Sequence, residues 1–200
     1  VGFVFSEFVL SGKLLCMLYG SLEVIVGCMS SGKSEEMLRR LRRSLIAKRG
    51  VIVFKPQIDT RSGNEVVSRN GQAWEAVTIE TPEEALSQVL EKHTVIGFDE
   101  AQFFNASILT VTEQLVMQGK RVIVAGLDTD FRGQPFGYIP QLLAMADEVT
   151  KLSAICMKCG ETATRSYRKE ATGIEVPAEG VVVVAGDVLY EARCRSCHAN

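Results

Sequence analysis

The sequence predicts an α/β protein: a parallel β-sheet covered on both faces by helices, followed by a small C-terminal unit of a different kind. Three observations predict it. Between Leu22 and about Lys151, apolar runs without alternation recur, each separated from the next by helical spacing, which is the pattern of strands buried on both faces. Beyond Lys151 the pattern gives way to two Cys-x-x-Cys pairs joined by a polar connector. Finally, 200 residues with 46% hydrophobic content suffice for one sizeable core and a small appendage.

The elements follow in order. Residues 1–18 are apolar but broken by Ser6, Glu7, Ser11, Gly12 and Lys13, with no basic residue ahead of the run. That is neither a secretory signal nor the ~18–20 continuous apolar residues of a membrane span. They are expected to form an extension outside the folded core, with an α/β unit over 19–150 and a second unit over 151–200. Leu22-Glu23-Val24-Ile25-Val26 reads as a buried strand entering a glycine-rich loop. Met37, Leu38, Leu41 and Leu45 then share a helix face, with Arg39, Arg40 and Arg43 largely opposite, and Gly50 ends the helix. Val51-Ile52-Val53-Phe54 is the next strand, and the polar stretch Asp59–Gly71 reads as a flexible loop. Thr81-Pro82-Glu83-Glu84 starts a helix, with Thr81 as cap, Pro82 in the first turn and Glu84 closing a capping box. Thr94–Phe98 is a strand ending at Asp99-Glu100; a helix over roughly Asn105–Gln118 and a strand over Arg121–Ala125 follow.

Gly27-Cys28-Met29-Ser30-Ser31-Gly32-Lys33-Ser34 has the Gly-x-x-x-x-Gly-Lys-Ser form of a phosphate-binding loop, after a strand and before a helix. The glycines let consecutive N–H groups curl around phosphates, Lys33 offers a cation, Ser34 a hydroxyl for Mg²⁺, and the following helix points its positive end at the anion. Asp99, at a strand end, suits the acidic residue on the magnesium side of such sites. A carboxylate beside it, Glu100, can take a proton from a hydroxyl or a water, so these residues alone leave kinase and ATPase both open. Cys156-Met157-Lys158-Cys159 and Cys194-Arg195-Ser196-Cys197 form two knuckles that can supply four thiolates to a structural Zn²⁺. His198 stands next to Cys197 as a possible replacement for it. Zinc rather than disulfides implies a reducing, cytoplasmic setting.

These motifs together resemble the type II, zinc-containing thymidine kinases. The resemblance runs from Leu22 to His198: the phosphate loop, Asp99-Glu100-Ala101-Gln102-Phe103-Phe104, Gly126-Leu127-Asp128-Thr129-Asp130-Phe131-Arg132 with Pro135-Phe136-Gly137, Lys151–Cys159, and Gly186–Cys197 with Tyr190 inside. It implies a P-loop (RecA-like) α/β fold with a small zinc-ribbon β domain carrying a lasso loop. The implied reaction is ATP plus thymidine giving ADP and thymidine monophosphate with Mg²⁺, for nucleotide salvage. Glu100 would be the general base toward the 5′-hydroxyl. The phosphate loop (Gly27 to Ser34), Asp59, Thr60, Arg61, Asp99, Gln102 and Arg168 would serve ATP and metal. Met29, Phe103, Leu127, Phe131, Phe136, Ser166 and Tyr190 would line the nucleoside site, and Val181, Val182, Val183, Val184 and Ala185 would read the thymine edge with their backbone. A homotetramer and feedback by thymidine triphosphate are implied as well, with deoxyuridine as a competing substrate.

Cys28 stands where the family usually has Pro, Ser30 and Arg165 where an aromatic is usual, and Ser166 where Thr is usual. The contrasting reading is a P-loop ATPase acting on nucleic acid through its zinc ribbon. A net charge of −2 lacks the basic excess such a binder needs. Arg39, Arg40, Arg42 and Arg43 are expected to form a solvated face. No nucleic-acid or membrane partner is expected.

Overall fold

The computed structural model describes residues 20–59, 65–67, 71, 73–169 and 189–199. The extension over 1–18, Thr60, Arg61 and the Val181–Ala185 stretch lie outside the described residues. Strands β1 (Ser21–Gly27), β2 (Gly50–Pro56), β5 (Val77–Ile79), β6 (His93–Phe98), β7 (Arg121–Gly126) and β8 (Glu148–Leu152) form one sheet in the order β5-β2-β6-β7-β1-β8. Every pairing in it is parallel. Helices α1 (Lys33–Ile46), α2 (Glu83–Gln88), α3 (Ser107–Met117) and α4 (Ile139–Met145) connect and cover it.

The inner strands β1, β2, β6 and β7 are buried on both faces, which is why they read as largely apolar runs. Leu22, Val24, Val26, Ile96, Phe98, Val122 and Val124 face one core with Ala85 of α2, Ile108 and Leu115 of α3 and Leu142 of α4. Their neighbours Ile25, Val53, Val95, Ile123 and Ala125 face the other core, with Met37, Leu38 and Leu41 of α1. Each parallel strand thus divides its side chains between two helix layers.

The structure departs from the expectations in four places. The segment expected as a loop over 59–71 contains β3 (Glu65–Val67), which pairs antiparallel with β4 (Ala73–Glu75). Val66 and Trp74 from this hairpin pack onto the α1 core, so burial overrides the polar composition around them. At Thr81 only half of the capping box forms: the Glu84 carboxylate accepts the Thr81 N–H at 2.8 Å, while no side chain caps α2. Arg40 is buried rather than solvated. The reason is Glu23, whose carboxylate points from β1 toward α1 and takes Arg40 at 2.6 Å and Arg121 at 2.9 Å. Leu45 shares the helical phase of Leu41 but overhangs the sheet and is half exposed. The main sheet itself ends in β8, which pairs with β1 through Leu152.

Beyond β8 the chain forms two short antiparallel pairs, β9 (Ala154–Ile155) with β10 (Thr162–Ala163) and β11 (Arg165–Arg168) with β12 (Tyr190–Arg193), and ends in α5 (Arg195–Ala199). Among the described residues the hydrophobic centre of this unit is small: Ala154, Cys156, Ala163 and Ala192, with Cys194 and Cys197 at its edge and Cys28 of the main domain inside it. A core that slight needs a further constraint to hold its shape. Among the described residues no helix is long and apolar enough to cross a membrane.

Candidate active site

The C-terminal ends of β1, β6 and β7 meet at one edge of the sheet, where parallel α/β sheets place their ligands. From β1 the chain turns through Gly27 and residues 28–32 into α1. Two glycines are required here. A side chain on Gly27 would meet the Leu152 carbonyl oxygen at 2.5 Å, and Gly32 takes φ +85°, a left-handed conformation. Lys33 folds back over the loop and donates to the Cys28 carbonyl at 2.9 Å. Burial pulls its ammonium below the ordinary lysine value, and the nearby Glu100, Cys28, Asp99 and Asp128 oppose that shift. The Ser34 hydroxyl lies 3.4 Å from an Asp99 oxygen, which juxtaposes two hard oxygen donors at the mouth of the loop.

Glu100 occupies a left-handed backbone position at φ 49°, uncommon for a non-glycine residue and frequent where function dictates geometry. Its side chain is half-buried and accepts a hydrogen bond from Gln102 Nε2 at 2.5 Å. The other end of the same amide accepts from the Leu127 N–H at 2.9 Å. Gln102, grouped with the ATP residues on sequence grounds, is therefore the strut that ties Glu100 to the end of β7. Gly126 and Gly137 make room for it: a side chain at the former would meet Gln102 Oε1 at 2.8 Å, and one at the latter the Gln102 carbonyl oxygen at 2.4 Å.

The apolar side chains expected around a nucleoside divide into two groups. Phe103, which follows Glu100 closely in the chain, and Phe136 meet edge to face at 5.6 Å between centroids. Phe131 lies under the Arg168 guanidinium, 4.0 Å from the ring centre. Arg168 pairs across the β11–β12 ribbon with Tyr190, whose phenol is raised above its ordinary value by burial and pulled back by Arg168. Leu127 is buried at the end of β7. Met29 and Ser166 join the two units: the Met29 N–H donates to the buried Ser166 hydroxyl at 3.0 Å, and the Cys28 thiol donates to the Ala163 carbonyl at 3.4 Å. Asp59 is buried at the end of β2 with Lys55 as its ion-pair partner at 3.4 Å.

Sequence reasoning missed three residues. Lys55 is 1% exposed within a sheet strand. A lysine closing the apolar run Val51–Phe54, four residues before Asp59, was the available signal. Asp128, 6% exposed, ends β7 beside the phosphate loop and faces Lys151 Nζ at 2.8 Å. Asp128 was visible in the motif but had no pattern to tell it from a turn residue, and Lys151 is visible only through the fold.

The sulfurs of Cys156, Cys159, Cys194 and Cys197 all lie within 4.8 Å of one another, with Cys159 and Cys194 at 3.7 Å. A tetrahedral Zn²⁺ with bonds of about 2.3 Å separates its sulfurs by about 3.8 Å, so this donor set fits the metal. The thiols also influence one another's charge. Backbone amides, that of Cys194 foremost, pull Cys156 down to about 6, while the sulfurs of Cys194 and Cys159 push Cys197 up to about 12. A bound cation would favour the thiolate form of all four and offset that mutual repulsion. The imidazole of His198 stands apart from the four sulfurs, with Nε2 2.8 Å from the Phe131 carbonyl oxygen.

A glycine cradle with its lysine and serine, faced across the sheet edge by an Asp-Glu pair, defines a P-loop phosphotransfer enzyme. The family model for thymidine kinase matches residues 20–198, and the chain belongs to the thymidine kinase family. It is an ATP-dependent nucleoside kinase that phosphorylates thymidine, and its cysteine cluster fits the zinc-binding type II branch. No observation favours the contrasting nucleic-acid ATPase.

Proposed function

We propose that Glu100 is the general base of this kinase, taking the proton of the thymidine 5′-hydroxyl as that oxygen attacks the γ-phosphorus of ATP. The observation that carries this reading is the position of the Glu100 carboxylate: tethered by Gln102 and close enough to Lys33 to oppose the effect of its burial. The phosphate loop, Gly27 to Ser34, cradles the phosphates with its N–H groups. Lys33 neutralises charge on the transferring group, whose transition state spreads negative charge over its outer oxygens. Ser34 and Asp99 would hold Mg²⁺, which would help to neutralise the same charge. Arg168 adds a cation above Phe131. Asp59, which follows β2, would serve the nucleotide together with Thr60 and Arg61, its neighbours in the sequence.

The nucleoside lies between Phe103, Phe136, Phe131, Leu127 and Met29, with Ser166 and Tyr190 on the side of the C-terminal unit. The Val181–Ala185 backbone reads the thymine edge, where deoxyuridine differs only by the missing methyl group. Zinc held by Cys156, Cys159, Cys194 and Cys197 staples the C-terminal unit that carries this segment. The chain then works as two units, over 19–150 and 151–200, within a cytoplasmic homotetramer restrained by thymidine triphosphate.

The test is Glu100→Gln, which keeps size and hydrogen bonding but removes the base. Thymidine phosphorylation falls by about 10²–10⁴, while ATP binding measured by calorimetry stays within about twofold. Retention of kcat in that variant refutes the assignment. A screen of the four deoxynucleosides, with sedimentation analysis in the presence and absence of thymidine triphosphate, tests selectivity, assembly and feedback.

A further inference from the structure

The sequence leaves two neighbours, Cys197 and His198, as candidates for the fourth metal ligand. The four cysteine sulfurs already form a closed set within 4.8 Å, and His198 faces another way. We infer that His198 is a positioning residue: its Nε2–H donates to the Phe131 carbonyl and fixes the 128–137 loop against the C-terminal unit, and it does not ligate the metal. A carbonyl oxygen only accepts, so at the 2.8 Å separation Nε2 must carry the proton.

The surroundings of the ring support this role. The edge of Tyr167 on β11 meets it at 6.1 Å between centroids and an angle of 88°. The loop tip lies against the ring as well, since a side chain built on Gly133 would come within 3.9 Å of His198 Cε1 and 3.6 Å of Arg165 Nε. The loop closes on itself below this contact: Thr129 bridges Pro135, and one Asp130 oxygen accepts the N–H groups of Arg132 and Gln134, both at 2.9 Å. Phe131 sits at the turn of that hairpin. His198 holds its main chain, and Arg168 of β11 covers its ring. On the other side, the His198 N–H donates to the Cys194 carbonyl within α5 at 2.9 Å, one residue past Cys197. The imidazole therefore goes where the cysteine knuckle puts it. The knuckle's position is carried to Phe131, an arrangement in which a metal site orders a loop through a neighbour of its ligands.

The inference rests on the reading of Phe131 as a nucleoside-pocket residue only for its effect on catalysis, and two readouts separate the parts. His198→Ala, His198→Gln and Cys197→Ser are purified as full chains. Bound zinc is measured by atomic emission, trypsin cleavage at the exposed Arg132-Gly133 bond by mass spectrometry, and the thymidine KM by ADP release. His198→Ala is expected to keep its zinc, to be cleaved at least several-fold faster, and to show a KM raised roughly tenfold, the scale of one lost hydrogen bond. His198→Gln, whose amide can reach and donate, is expected to restore both values to within about threefold, and Cys197→Ser to lose zinc. Loss of zinc in His198→Ala, unchanged cleavage, or failure of Gln to rescue overturns the inference. Faster cleavage with an unchanged KM upholds the contact and removes Phe131 from the pocket.

Discussion

Replacing Gln102 by Met keeps the length and most of the volume of the side chain but removes both polar ends. In the folded chain those ends have separate jobs. Oε1 accepts the buried Leu127 N–H at 2.9 Å, and Nε2 donates to Glu100 at 2.5 Å. Losing the first leaves an N–H buried without a partner, which costs about 1–3 kcal/mol. At roughly 2–4 °C per kcal/mol for a domain of this size, the melting temperature falls by about 2–12 °C. Losing the second does not remove the base but frees it to rotate. The catalytic loss should therefore stay below the full worth of a general base, at about ten- to a hundredfold in kcat. Differential scanning fluorimetry reads the first effect and steady-state phosphorylation of thymidine the second. Glu100→Gln serves as the reference, since it loses more activity and little stability. A Gln102→Met enzyme with kcat within about twofold of the parent would refute the idea that this amide aims Glu100, whatever its melting temperature. An unchanged melting temperature would show that the Leu127 N–H finds another partner.

Other perturbations follow from the buried charges and the metal site. Glu23 and Glu36 are both held below the ordinary carboxylate range, Glu36 at about 2 by Arg39 and Arg40, and Glu23 by Arg121 and Arg40 against its own burial. A depressed carboxylate stabilises the fold above its unfolded value and loses that contribution as it protonates. Urea midpoints should therefore decline as pH falls from about 4.5 toward 2; flat midpoints there would contradict the pairing. Glu23→Gln at neutral pH leaves Arg40 buried beside fewer counter-charges and should cost about 3–5 kcal/mol in the same assay. Lys55→Met should cost a similar amount, because it strips a buried cation from buried Asp59, and adding Asp59→Asn should recover part of the loss. Removing zinc with a chelator should raise the Kd for ATP at least several-fold by calorimetry. The phosphate loop leans on the C-terminal unit through Met29–Ser166 and Cys28–Ala163, so an unchanged Kd would show that those bonds do not carry load.

The main sheet was legible because parallel strands buried on both faces need largely apolar runs, and Leu22–Val26 (with Glu23 as its one charge), Val51–Phe54, Val95–Phe98 and Val122–Ala125 supply them. The phosphate loop and the cysteine pairs were legible for a different reason. Their chemistry fixes residue types at fixed spacing, so they stand out without any knowledge of the fold. What stayed hidden depends on contacts between distant segments. Arg40 sits in the same arginine run as Arg39 and Arg43, and only the arrival of Glu23 from β1 decides that it is buried. The short strands β3, β4 and β5 have too few residues to show a period, and a hairpin closing on the α1 core leaves no local trace beyond Val66 and Trp74.

Gln102 and His198 depend on contacts of the same kind: Gln102 stands two residues from Glu100 and His198 one from Cys197, and neither position in the chain shows which group the side chain bonds. In the fold each reaches across to another segment, Gln102 to the Leu127 amide and His198 to the Phe131 carbonyl. Both bonds end on the stretch that follows β7, which lies between the phosphate loop on one side and the cysteine unit on the other. A site whose halves come from separate units needs such cross-links, because each half could otherwise be well formed and still misplaced. One ångström of misalignment between nucleophile and phosphate is enough to lose much of the rate. Residues that couple the 127–137 segment to its two neighbours therefore govern the reaction as surely as those that touch the substrates, and double-mutant cycles between Gln102 and His198 would reveal it as non-additive losses in kcat/KM.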